Sequence, residues 1–383
     1  MNGNFLVSGM FRSGTTMFAR MLHANPNIVC ASDPFAPLFK SYRNTIAQDM
    51  IQDFDIQSPL NDYYFDKSQN SLFQELQRKN FNVAISKQEI KRVKGLIKEH
   101  CKPYSPKISL YLDVLEGESY KQLFDSAFEI IRSSYGKDVN AVIGFKEVWV
   151  DEFASHFNRM KKGNKVIHIV RDPRSIVASN FASEARYPLL FLIRQWRKLA
   201  SIAWLNSRDN KNFLLVRFED LLKEPERVSG VICDFLGVKF HSDMVNPASY
   251  KDGEGNPWRQ NSSYKNKGGQ KFNSQALDKW KYTLDERVTN FIEKFCSFEM
   301  NLLNYEFFTD GVLENDESLL DYEDDLTKCS EWIQPYAGYD NFKEVAIELT
   351  RYSLLKNKTH LSDNICKLIL LNPDLKSHFD KLQ

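Results

Sequence analysis

No run of apolar residues in this 383-residue chain approaches the roughly 18 that a membrane-spanning helix needs. Excess charge is missing too. Lys and Arg total 51 against 50 Asp and Glu, a net charge of +1, which argues against a nucleic-acid or membrane-surface coat but allows a local basic pocket. The six cysteines (Cys30, Cys101, Cys233, Cys296, Cys329 and Cys366) form no CxxC pair and no histidine-paired metal spacing, so no metal site is expected. Free thiols in a reducing compartment are the expectation. Only Met1 to Asn4 precede the first apolar run, too few for a signal peptide's apolar core, and a cytoplasmic protein is expected. Internal repeats are absent as well.

What the chain does have is an aromatic content of 13%, suited to a well-packed globule, and one stretch dense in information: FLVSGMFRSGTTMFARML, Phe5 to Leu22. An apolar strand runs into a Gly- and Ser-rich turn, and a helix with apolar Met17, Phe18, Met21 and Leu22 follows. Such a turn directs free backbone N–H groups and the positive end of a helix at one point, which makes an anion site. The spacing Gly9-x-x-x-x-Gly14-Thr15-Thr16 is that of a P-loop, with Thr15 where a nucleotide triphosphatase has its lysine. Arg12 is the nearest replacement cation.

Strand and helix patterns then alternate, which predicts an α/β fold: a P-loop-type parallel sheet flanked by helices. Ile28 to Ala31 reads as the second strand and delivers Ser32-Asp33-Pro34 at its carboxyl end, the edge where open parallel sheets collect ligands. Residues 36–135 mix helical periods with aromatics such as Tyr42, Phe54, Tyr63, Tyr64, Phe65 and Phe81, and read as a helical insertion that includes a helix from Tyr120 to Tyr135. Ala141 to Phe145 reads as a strand leading to Lys146-Glu147, and Lys165 to Val170 as one ending at Arg171-Asp172-Pro173, with Pro173 in a first helical turn. A long helix over Tyr187 to Ser207, a strand over Phe213 to Phe218 and a helix from Glu224 to Leu236, stopped by Gly237, complete the pattern. Asp252 to Gln270 is a polar loop, and Leu284 to Leu303 is helical. Acidic Glu314 to Asp325 reads as a solvated linker. Asn341 to Leu355 and Leu361 to Leu371 form a C-terminal helical appendage for packing or homo-oligomerisation. The expected division is an α/β domain over 1–310 and the linker with its appendage over 311–383.

Two blocks carry a family resemblance. FRSGTTMFARMLHANPNIVCASDPF resembles the 5′-phosphosulfate loop of sulfotransferases that use PAPS (3′-phosphoadenosine 5′-phosphosulfate), and VIHIVRDPRSIVASNF resembles their 3′-phosphate motif. The two lie in the family's order, and the layout is similar from about residue 4 to 305, nearer the tyrosylprotein-type and related bacterial branch. The resemblance implies sulfuryl transfer from PAPS to a hydroxyl-bearing acceptor of unknown class, leaving adenosine 3′,5′-bisphosphate.

The chemistry fits two anion cradles. One is Arg12, Ser13, Gly14, Thr15 and Thr16, through backbone N–H groups, hydroxyls and a guanidinium. The other pairs Arg171 with Ser179, eight residues along the following helix; by resemblance both bind the 3′-phosphate. Lys146 stands at the family's strand-end cation, where with Arg12 it would stabilise charge on the leaving phosphate without a metal. The histidine that cytosolic small-molecule enzymes place two residues beyond that lysine is replaced by Val148. Asp33 matches the base position of the tyrosylprotein branch, with Glu147 in reserve. Asp33 also reads as a helix cap, His168 as a core histidine, and His23 as a last-turn residue favouring the helix dipole. Arg217-Phe218-Glu219-Asp220 matches a family block that usually has tyrosine where Phe218 stands, and the Phe218 ring can still stack on adenine, with core packing as the alternative. Lys265 to Lys271, Ser274 and Lys279 fall where the family closes a basic segment over the nucleotide. A small-molecule P-loop kinase is the alternative, which Thr15 opposes; a non-catalytic nucleotide-binding protein is the other.

Overall fold

The computed structural model describes residues 3–58, 60, 67–136, 140–181, 187–258, 272, 275–309, 340–357, 362, 365–366, 369–370 and 375–382. Lys265 to Lys271, Ser274, the acidic segment Glu314 to Asp325 and most of Leu361 to Leu371 lie outside them. Two compact units are present. The first is Met1–Tyr63, Ser71–Val170 and Asn206–Ser274; the second is Tyr64–Asn70, Arg171–Leu205 and Gln275–Gln383.

The first unit is built on five parallel strands: β1 (Phe5–Gly9), β2 (Ile28–Ser32), β3 (Val142–Lys146), β4 (Lys165–Val170) and β5 (Phe213–Arg217). Their spatial order is β2-β3-β1-β4-β5. Every residue of β1, β2 and β3 is buried, so these strands are continuous apolar runs rather than alternating ones, as a sheet covered on both faces requires. In the central register Phe5 pairs with Gly144 on one side and with Lys165 on the other. Gly144 has no side chain because the Phe5 ring occupies the space a Cβ would need. β5 stops one residue earlier than its apolar pattern suggests, since Phe218 opens a helix, Phe218–Lys223. Gly237 ends the helix Pro225–Leu236 at φ 77°, as its position predicts.

Helix α1 (Thr15–Ala24) follows β1, and His23 in its last turn accepts a 3.2 Å hydrogen bond from Cys30 N. The stretch between β2 and β3 is helical, as its periodicity predicts: α2 (Ala36–Met50), α3 (Lys67–Arg78), α4 (Lys87–His100), a 3-10 segment (Pro106–Val114) and α5 (Tyr120–Tyr135). Tyr63, Tyr64 and Phe65 lie outside the described residues, and several of the described aromatics pack together. Phe39 contacts Phe81, Phe124, Phe145 and Phe153, with centroids 4.7–6.3 Å apart.

A polar knot sits inside the sheet below the P-loop. Ser8 Oγ donates to Asp151 Oδ1 at 2.7 Å, and His168 Nδ1 lies 2.6 Å from the same oxygen, all three residues being buried. His168 is thus a core histidine whose Nδ1 joins β1, β4 and the segment between β3 and α6 (Ala154–Met160).

In the second unit, Asp172 accepts from Arg174 N at 2.8 Å and so caps α7 (Pro173–Phe181), with Pro173 at its first position. Helix α8 (Leu189–Asp209) supplies Arg194 and Arg197, which bind Glu348 of the helix Asn341–Lys356 at 2.5 and 2.6 Å. Arg351 of that helix binds Glu299 of the helix Glu286–Leu302 at 2.6 Å. The first of the two appendage helices is therefore packed through buried ion pairs, and Glu348 is held below the usual carboxylate range because Arg197 and Arg194 outweigh its burial. The short C-terminal helix Lys376–Leu382 adds Phe379 to an apolar cluster with Phe298, Leu355 and Leu375.

His156, on the helix Ala154–Met160, is buried against Leu76 O and 2.6 Å from Arg159, and burial lowers its pKa from 6.5 to about 4. Its folded value lies below its unfolded one, so the unfolded chain binds more protons between these limits and stability falls as pH drops from 6.5 towards 4. The loss expected across that window is about 3 kcal/mol. Urea unfolding at stepwise pH checks it, and His156→Gln should flatten that part of the curve.

Candidate active site

The turn between β1 and α1 has the shape its glycines predict. Ser13 N donates to Met10 O at 3.1 Å, Arg12 stands at φ 66° and Gly14 at φ 81°. Gly14 is the N-cap of α1 and has no side chain, so it makes no side-chain cap and leaves the first-turn N–H groups directed at a place suited to an anion. Ser13 is fully buried, yet its Oγ makes no hydrogen bond among the described residues. Thr15, in the kinase lysine's position, is buried as the first residue of α1. A Cβ on Gly14 would overlap the ring of Phe218. That ring is itself buried and supports the turn from behind.

One strand over, β3 ends in Lys146 and β2 is followed by Asp33. Lys146 holds Asp33 twice: its carbonyl accepts from Asp33 N at 2.7 Å, and its ammonium pairs with Asp33 Oδ2. Lys146 is 2% exposed and Asp33 8%. Asp33 Oδ1 makes no hydrogen bond among the described residues. The helix cap expected of Asp33 is made by Glu147 instead, whose Oε1 accepts from Phe35 N and, at 2.9 Å, from Ala36 N. Glu147 is 1% exposed, and burial together with the nearby Asp33 pushes its pKa well above the usual carboxylate range. Glu147 thus has one oxygen engaged as a cap and the whole group enclosed.

Non-glycine residues at positive φ mark this edge. Arg12 follows β1, Asp33 (φ 48°) follows β2, and Trp149 (φ 69°) lies three residues after β3. A bulky residue in that region is costly and gathers where a site needs it. Trp149 packs on Phe11 of the P-loop with centroids 4.7 Å apart. Sequence reading missed Trp149, and also His100, Tyr104 and Ser105, which the insertion delivers here. Ser105 Oγ exchanges hydrogen bonds with Ser32 N and O at 2.9 and 2.8 Å, Tyr104 O accepts from Arg20 at 3.0 Å, and the Tyr104 ring lies 5.9 Å from Lys146 Nζ. No motif flags them; only a helical insertion that returns to the sheet edge brings them in.

In the second unit, Arg171 and Ser179 lie at the start and on the body of the α7 segment, both half-buried. The Arg171 carbonyl accepts from Trp196 Nε1 at 2.8 Å. The Asp172 carboxylate is taken by Arg174, with Arg174 Nη2 at 2.6 Å. Lys279 is exposed between the short helices Gln275–Asp278 and Trp280–Thr283, which pack on α7 through Ser175 Oγ to Leu277 O (3.4 Å) and Arg174 over the Trp280 ring (4.1 Å). Ser274 lies outside the described residues.

Residues 5–242 match the Sulfotransferase family and residues 191–304 the Sulfotransferase domain. The first span is well over half of the chain, and the protein belongs to the sulfotransferase family. It is similar to carbohydrate sulfotransferase 1 of Rattus norvegicus, 28% identical over 179 residues that make up 38% of this chain and 39% of that one. Sulfotransferase 2A2 of the same species is 31% identical over 98 residues, 21% of this chain and 34% of the relative. The chain thus spans little more than a third of the length of these curated relatives. Among solved structures, the sulfotransferase domain from the Synechococcus PCC 7002 olefin synthase aligns with a TM-score of 0.46 and 16% identity over 74% of this chain and 89% of that one. The described residues include no helix long and apolar enough to cross a membrane.

Gly14→Ala should break the P-loop, since the added methyl meets Phe218 at a backbone angle that favours glycine. We expect a loss of about 1–3 kcal/mol in denaturant unfolding, together with loss of nucleotide binding by calorimetry.

Proposed function

We propose that the protein transfers a sulfuryl group from PAPS to a hydroxyl-bearing acceptor. The observation that carries this reading is the pairing, at adjacent strand ends of one sheet, of a lysine-free P-loop with the buried Lys146–Asp33 pair. The residues suit the ligand: the orphaned Ser13 Oγ, the uncapped start of α1 and the Arg12 guanidinium together would hold a phosphosulfate. Arg171 and Ser179 would hold the 3′-phosphate, with Lys279 nearby on the segment that packs on α7. PAPS supplies the activated sulfuryl group and leaves as adenosine 3′,5′-bisphosphate.

The protein's own part is positioning and charge. Lys146 and Arg12 stabilise negative charge gathering on the bridging oxygen as the sulfur–oxygen bond to phosphate breaks and the acceptor oxygen–sulfur bond forms. Asp33 Oδ1 takes the acceptor's proton. Its Oδ2 is held by Lys146, which fixes the carboxylate and leaves one oxygen for the hydroxyl. A kinase is not favoured, because the buried Thr15 offers no ammonium for a β/γ-phosphate.

Arg171→Ala should weaken binding of adenosine 3′,5′-bisphosphate by about 1.5–3 kcal/mol, the range for a charge-assisted hydrogen bond, while adenosine 5′-phosphate is unaffected. Calorimetry decides it, and equal weakening of both nucleotides would refute the assignment. Asp33→Asn should lower turnover of labelled PAPS and spare nucleotide affinity; undiminished turnover would remove Asp33 from the base role. A thermal shift that is large with ATP–Mg²⁺ and absent with adenosine 3′,5′-bisphosphate would restore the kinase reading.

A further inference from the structure

The groups at the ends of β2 and β3 are closed off from water, with Asp33 8%, Lys146 2% and Glu147 1% exposed. A proton taken up there in one turnover has to leave before the next. Beside them stands an ionisable side chain that does reach water. His100, the last residue of α4, is 38% exposed, and its Nε2 lies 4.0 Å from Glu147 Oε2. Glu147 Oε1 is held by Phe35 N and Ala36 N, so Oε2 is the oxygen left to face the imidazole. Helix α4 belongs to the insertion, whose Tyr104 and Ser105 are fastened to α1 and β2 just beyond His100. The imidazole is therefore fixed at the border between the cluster and solvent.

We propose that His100 is the residue through which the Asp33–Lys146–Glu147 cluster exchanges protons with water, carrying away in each turnover the proton that the acceptor hydroxyl gives up. This rests on the sulfotransferase reading, with Asp33 as first proton acceptor. The balance is simple. The hydroxyl proton passes to Asp33, an equivalent proton leaves the cluster onto an imidazole nitrogen of His100, and the imidazolium releases it to bulk water; no electrons move. His100 is a positioning and relay residue rather than a group that touches the acceptor.

The electrostatics agree. Burial holds the His100 imidazole below its usual range, Asp33 draws it up and Lys146 pushes it down, so at neutral pH the ring is uncharged and able to accept. Glu147, pushed up by burial and by Asp33, is correspondingly reluctant to lose its proton. The charged and titratable groups facing the ring are Asp33 after β2, Lys146 of β3 and Glu147 after it; Lys98, Glu99 and Lys102 are on or next to its own helix.

Nuclear magnetic resonance of the full chain labelled at histidine tests the coupling without nucleotide, with His100→Gln assigning the signal. We expect His100 to titrate below its ordinary 6.5, and Asp33→Asn to lower it further by about half a unit or more. Release of sulfate from PAPS, with water as acceptor, tests the role in turnover. His100→Gln should slow it by about tenfold or more, added imidazole should restore it, and calorimetric binding of adenosine 3′,5′-bisphosphate should match the parent. A His100 signal indifferent to Asp33→Asn overturns the proposal. So does an unslowed variant, or a slowed one that imidazole does not rescue. If the parent neither binds adenosine 3′,5′-bisphosphate nor consumes PAPS while the titrations remain coupled, the sulfotransferase reading fails and the turnover role with it.

Discussion

The position of β1 between β3 and β4 decides where every candidate residue of the first unit ends up. Because the three strands are parallel and run in register, their carboxyl ends open on one edge, and whatever follows each strand is delivered there. The register depends on a small steric fact: the Phe5 ring lies over Gly144, so neither strand can slip by a residue without driving that ring into a side chain. The buried Ser8–Asp151–His168 knot strengthens the same arrangement from below, since it ties the two flanking segments to β1 through one carboxylate oxygen.

On that edge, charge is arranged by burial. A carboxylate as enclosed as Asp33 is costly unless an opposite charge meets it, and Lys146 meets it through both backbone and side chain. Glu147 is buried more deeply, and its partners are two backbone N–H groups at the start of α2. Two carboxyl groups thereby acquire different chemistry: one is paired with an ammonium and has a buried oxygen with no hydrogen bond among the described residues, and the other becomes a cap whose proton is hard to remove. Divided environments of this kind are how proteins assign separate proton-handling roles to like side chains.

The second unit obeys the same economy of charge. Arg194, Arg197 and Arg351 lie inside it, and each faces a glutamate on a different helix. Such pairs add little net stability over apolar contacts, but breaking one strands a buried charge, which gives the helix Asn341–Lys356 a defined place. It also keeps α7, with Arg171 and Ser179 on or beside it, in a unit whose interior is strongly specified: Arg174 is held by Asp172, Glu293 and the Trp280 ring.

Much of this was legible in the residues themselves. Apolar runs marked the strands to within about two residues, Gly237 marked a helix end, and the spacing from Gly9 to Thr16 marked the turn between β1 and α1, because each rests on local backbone geometry that neighbours in sequence impose. The strand-end residues Lys146 and Asp33 were legible for the same reason, since a strand's end is a local event and parallel sheets put ends together. The division of labour between Asp33 and Glu147, the support of Gly14 by the ring of Phe218, and the presence of His100, Tyr104 and Trp149 at the edge were decided only by the tertiary structure. Each is a contact between segments far apart in the chain, and burial, which sets both a carboxyl's proton affinity and a ring's partners, does not exist until those segments pack.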